Sequence, residues 1–178
     1  MREIKRIFIH CTAGNQKQTL NDLLREFKNK GWSNPGYHYT VFPDGRVVPL
    51  LAEEKVSNGV QGFNSTAINI AYVGGVDSKG RAVDNRTEAQ KESLLNLLRR
   101  LKCKYPNAHI MGHRDIWGKD PKNWKKQCPC FDAEKEYASV TAEPVQYKDN
   151  CVTDYTTKYI DSILELRPWA NKHKGESE

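Results

Sequence analysis

Short apolar stretches punctuate a polar chain of 178 residues, and their period changes along it. Residues 5–10 end in Ile-Phe-Ile-His, which reads as a buried strand with His10 at its C-terminal end. Residues 12–18 are polar and contain Gly14, so a loop follows. Thr19 with Asp22 reads as a capping box, and Leu20, Leu23, Leu24 and Phe27 share one helical face until Gly31 stops it. Residues 37–42 and 46–51 flank Pro43-Asp44-Gly45, a hairpin signal. Residues 67–73 form a strand ended by Gly74-Gly75. Thr87 with Gln90 caps a long helix whose Leu94, Leu95, Leu97, Leu98 and Leu101 form an apolar stripe, which is core packing. Residues 108–111 are a short strand, a polar loop runs to Cys130, and Asp132 caps another helix. Strands alternating with helices, plus one hairpin, give an α/β (α+β) sheet flanked by helices.

The pattern closes near Val140, so residues 1–140 read as one domain and 141–178 as an extension packed on it. Within the extension, residues 142–150 are polar, 155–166 are weakly amphipathic, and 171–178 read as frayed.

Composition narrows the class. Hydrophobic residues at 38% and aromatics at 10% suffice for a packed core, which excludes a disordered chain. Charges interrupt every stretch, so nothing approaches the roughly 20 apolar residues of a membrane span. The apolar piece after the basic N-terminus is only Ile7 to Ile9, too short for a secretory signal, so a cytoplasmic protein is expected as synthesised. Lys+Arg 28 against Asp+Glu 22 leaves +6, which favours an anionic partner and is equally accounted for by solubility. No interleaved basic-aromatic stripe supports nucleic-acid binding. The five cysteines are an odd count, which argues against a complete disulfide framework.

Three residues carry metal chemistry: His10 at a strand end, His113 after a strand, and Cys128 in Lys126-Gln127-Cys128-Pro129-Cys130-Phe131-Asp132. Two imidazoles and a thiolate fill three positions of tetrahedral Zn²⁺ and leave a fourth for water. Their spacing fits no finger or His-Glu-x-x-His pattern, and on spacing alone each histidine is more often a core or surface residue. The residues alone do not choose between Cys128 and Cys130, which also read as a disulfide or an inert turn. Tyr37 could partner an oxyanion or shuttle a proton, against the simpler reading of a half-buried aromatic. Lys126, two residues before Cys128, could reach an oxyanion, or is a solvated charge in the run Lys122, Lys125, Lys126.

An ordered set of segments resembles the zinc-dependent N-acetylmuramoyl-L-alanine amidases, a superfamily that includes bacteriophage amidase-type lysozymes and peptidoglycan recognition proteins. They are Ile7-Phe8-Ile9-His10-Cys11-Thr12-Ala13, Gly31-Trp32, Gly36-Tyr37-His38-Tyr39, Pro43-Asp44-Gly45, Gly62-Phe63-Asn64, Ile68-Asn69-Ile70, Val73-Gly74-Gly75, Gly112-His113-Arg114-Asp115 and Cys128-Pro129-x-Phe131-Asp132. They span residues 4 to about 138, and Lys126 to Asp132 is similar to the phage branch.

The resemblance implies a mixed central sheet, zinc on His10, His113 and Cys128, Tyr37 as proton shuttle or oxyanion partner, and Lys126 as transition-state stabiliser. It also implies substrate contacts at Asn64 and Asn69, and gives Cys130 the variable slot. The implied partner is peptidoglycan, cut at the lactyl–L-alanine amide, with neither nucleic acid nor membrane as a partner and the chain a monomer. A phage enzyme would reach the wall after release; a recycling enzyme would act on wall fragments in the cytosol. A non-catalytic binding module and an amidase that also inhibits RNA polymerase are the alternatives. Relatives often carry a histidine just before the Gly-[Phe/Tyr]-Asn segment; residues 56–61 have none.

Overall fold

The computed structural model describes residues 2–141. The expected extension therefore lies outside the described residues, apart from Thr141.

Strands β1 (Arg6–Cys11), β2 (Tyr39–Val41), β3 (Val47–Pro49), β4 (Ala67–Tyr72) and β5 (His109–Gly112) form one five-stranded sheet in the order β3-β2-β4-β1-β5. β2 and β3 pair antiparallel as the expected hairpin, and the other neighbours run parallel. This is the mixed sheet anticipated from the sequence. Parallel strands at the centre of a sheet are covered on both faces, and every residue of β4 is buried. Pro49, which has no N–H to donate, sits on the edge strand β3, where a missing ladder bond is tolerated.

Helix α1 (Leu20–Asn29) starts at a capping box in which the Asp22 carboxylate accepts from Thr19 N–H at 2.9 Å. Helix α2 (Glu88–Lys104) starts at another, with Gln90 Oε1 accepting from Thr87 N–H at 3.0 Å. Gln90 is fully buried, and its Nε2 donates to Val41 O at 3.0 Å and Val73 O at 2.9 Å. One side chain thus caps the helix and ties it to two strands. A short α3 (Ala133–Glu136) follows the expected Asp132 cap.

The sheet's two faces differ in character. Ile7, Ile9 and Cys11 of β1 join Ile68, Ile70 and Tyr72 of β4 against Leu94, Leu97, Leu98 and Leu101 of α2. Burying each such leucine contributes roughly 1.5–3 kcal/mol. Leu95 is only half-buried, because it lies about 100° around the helix from Leu94 and leaves the i, i+3, i+4, i+7 stripe. On the opposite face stand the alternate residues, among them Phe8, which packs on Val60 and Ala67. Leu20, Leu23 and Phe27 of α1 close a further cluster over Phe42, Val48 and Leu50 of the hairpin. Among the described residues no helix is long and apolar enough to cross a membrane.

Candidate metal centre

His10, next to last in β1, lies on the face away from α2, because Ile9 and Cys11 take the α2 side. His113 opens the turn that leaves the neighbouring strand β5. Cys128 comes from the loop before α3, which is laid against both strand ends. Arg114 N–H donates to Cys128 O at 2.9 Å, and Tyr72 Oη donates to Pro129 O at 2.7 Å. From behind, the side chain of Arg86 is 1% exposed, ion-paired with Asp84 and Glu136 at 2.8 Å, and stacked 3.3 Å from the Phe131 ring centroid.

These elements bring His10, His113 and Cys128 together, with one ligand atom from each within 4.8 Å of the others. His10 Nδ1 lies 3.1 Å from His113 Nδ1 and 3.8 Å from Cys128 Sγ. A tetrahedral site with the usual zinc–nitrogen and zinc–sulfur lengths has edges of roughly 3.3 and 3.6 Å. The residues therefore fit zinc by donor type and by spacing. Burial lowers the His10 pKa to about 4 and that of His113 to about 3, with nearby Lys126 pushing the same way. Both rings are thus neutral at pH 7, with lone pairs free to ligate. Because His10 Nε2 faces Asn69 Oδ1 at 2.9 Å, the ring proton sits on Nε2 and the Nδ1 lone pair is left free to ligate. Cys11 N–H donates to Cys128 Sγ at 3.3 Å.

Two expected substrate contacts are placed differently. Asn69 is fully buried; its Oδ1 serves His10 and its Nδ2 donates to Ser57 Oγ at 2.8 Å and Asn64 Oδ1 at 3.3 Å. Its amide is committed to these neighbours. Asn64 is half-buried, and its Oδ1 also accepts from Val60 N–H at 2.7 Å. Within the segment that lacks the histidine, a Cβ at Gly59 would lie 2.3 Å from Asn69 Cγ. With Asn69 in place, position 59 has no room for a side chain. The sequence carried a signal for this network, a lone amide inside the apolar run Ala-Ile-Asn-Ile-Ala.

The Tyr37 ring centroid is 5.2 Å from that of His10, and Phe27 meets it edge-on at 5.6 Å. Among the described residues its hydroxyl has no hydrogen-bond partner. Burial, with the sulfurs of Cys128 and Cys11 nearby, holds its pKa well above the ordinary tyrosine value, so the hydroxyl stays protonated. Lys126 is exposed at the rim. In the stretch that follows β5, Trp117 stacks on His113 at 5.6 Å, and Arg114 lies 4.0 Å over Trp124. A separate groove between α2 and α3, lined by residues such as Lys91, Leu95 and Tyr137, shares none of His10, Tyr37, His113, Lys126 and Cys128.

Known proteins are similar to this chain both in sequence and in structure. The chain is 36% identical over 138 residues to the endolysin of Klebsiella phage KP32, covering 75% of this chain and 85% of that one. In structure it is similar to the Ph2119 endolysin from a Thermus scotoductus bacteriophage, with TM-score 0.62, 30% identity, and 79% and 86% of the two chains covered. The amidase LysC from Clostridium intestinale URNW superposes with TM-score 0.64 at 27% identity, over 78% of this chain and 86% of its own. The family profile described as N-acetylmuramoyl-L-alanine amidase matches residues 1–131, and the chain belongs to that family.

Proposed function

We propose that this amidase is zinc-dependent and hydrolyses the amide between the lactyl group of N-acetylmuramic acid and the L-alanine of the peptidoglycan stem peptide, as a phage or prophage endolysin. The observation that carries the metal reading is the convergence of His10, His113 and Cys128, with two neutral imidazole nitrogens facing each other 3.1 Å apart. With the His10 ring proton on Nε2, its Nδ1 offers a lone pair into that gap, where a cation can be held. When bound there, zinc polarises a carbonyl and acidifies water.

The chain's own residues do the rest. Asn69 holds the His10 ring in the ligating tautomer. Tyr37 keeps its proton and donates it as a hydrogen bond toward the oxygen that gains charge when the amide is attacked. Lys126 places a positive charge beside the same oxygen, an inference supported by its effect on both imidazoles. Trp117 stacks on His113, and Arg114, the next residue, lies over Trp124. The +6 charge draws the enzyme to stem-peptide carboxylates. Cys128 favours catalysis over the binding-module reading, since a non-catalytic relative needs no third ligand.

Incubating the purified full chain with wall digest, with and without a chelator, tests this by mass spectrometry. Release of free stem peptide that stops with the chelator and returns with zinc is expected. Equal release in both arms removes the metal from the mechanism, and no release in either removes the substrate assignment.

A further inference from the structure

Two cysteines that ligate nothing in this reading face each other behind the metal centre. Cys11 ends β1, one residue after His10, and Cys130 lies two residues after Cys128. Their sulfurs are 3.8 Å apart, and both are free thiols. We propose that Cys11 and Cys130 are a redox modification site that closes to a disulfide in an oxidising compartment, bolting the ligand loop to the strand that carries His10.

Two further observations support the pairing. Cys130 has φ of +74°, a left-handed conformation that glycine or asparagine adopts more readily than cysteine. A cysteine is used there nonetheless, and its sulfur is directed at Cys11. The chain crossing above is bare: a Cβ at Gly75 would lie 2.5 Å from Cys11 Sγ and 3.7 Å from Cys130 Sγ. Gly75 has φ of +101° and leaves the two sulfurs in contact with nothing wedged between. Closure to about 2.05 Å needs movement of the side chains and of the loop, not a new fold.

The oxidant is a low-molecular-weight disulfide such as oxidised glutathione. Half-buried Cys130 reacts first: its proton passes to solvent, and its sulfur attacks one sulfur of the small disulfide, expelling one small thiolate that picks up a proton. Cys11 then attacks the Cys130 sulfur of the mixed disulfide, loses its own proton, and releases the second small thiol. Two protein thiols become one disulfide as one small disulfide becomes two thiols, a two-electron transfer. Cys128 takes no part while its sulfur is held by the metal.

The test uses the zinc-loaded full chain with oxidised glutathione, quenched with an alkylating agent and mapped by mass spectrometry without reduction. A peptide pair joining Cys11 to Cys130 is expected, with unchanged zinc content and a thermal midpoint raised on the order of 10 °C until a reductant is added. Cys130→Ser should keep its zinc and lose the oxidation-dependent shift. Cys11→Ser should leave Cys130 as an unresolved glutathione adduct. Exposed Cys103 reports that the oxidant has acted. Overturning results are a bond through Cys128 with zinc lost, a lasting adduct on Cys130 in the unmutated chain, or no linked pair once Cys103 has reacted.

Discussion

The two faces of one strand divide the molecule's labour. From β1, Ile7, Ile9 and Cys11 point at α2 and meet mostly leucine and isoleucine. From the same strand, His10 points the other way into a network of Asn69, Ser57, Asn64, His113 and Tyr37. The first face holds by area and shape and has few directional demands. The second is polar and buried, so each of its groups needs a partner. Damage to the first should therefore appear as lost stability with intact chemistry, and damage to the second as lost chemistry in a folded protein.

The sharpest break is at a ligand. Cys128→Ala should abolish zinc binding and activity while the far-ultraviolet circular dichroism stays native; retained metal by elemental analysis would show the ligand set to be wrong. Next, Tyr37→Phe and Lys126→Met should each lower kcat on the order of 10²–10³ with full zinc occupancy. A change confined to KM would make these residues binding groups. Smaller is Asn69→Ala, expected to weaken zinc affinity roughly 10–100-fold in a competition titration, because His10 loses the partner that fixes its tautomer. On the apolar face, Leu98→Ala should cost about 2–5 kcal/mol in denaturant unfolding, with kcat unchanged below the transition.

Acid separates the faces without mutation. His10, His38 and His113 have pKa values lowered to about 4, 4 and 3, chiefly by burial. The unfolded chain takes up protons below its ordinary histidine pKa of about 6.5, and the folded chain does not until far lower pH. Stability of the metal-free protein is thus full above that value and falls as pH drops toward 4. The loss is on the order of several kcal/mol, and unfolding at pH 7 and pH 5 measures it. A flat profile would mean these rings are not buried neutral.

What the sequence made legible follows the same division. Periodicity placed both long helices with their caps at Thr19 and Thr87, and the strands to within a few residues, because burial on one face repeats at a fixed interval. The hairpin strands came out shorter than their apolar runs, with Tyr39–Val41 paired to Val47–Pro49. The centre was not legible in that way. His10, His113 and Cys128 are separated by long stretches of chain, and only the order of segments resembling a known family linked them. The Asn69 amide lies buried against Gly59 and beside the His10 ring. Orientation of one side chain by another depends on which strands become neighbours, and no local pattern encodes it.

Metal stoichiometry tests the centre most directly. Elemental analysis of the purified full chain beside its His10→Ala, His113→Ala and Cys128→Ala variants should give one zinc per unmutated chain and almost none in any variant, all four remaining folded. Zinc retained at full occupancy by any one variant, or an unmutated chain fully active without zinc, would contradict it.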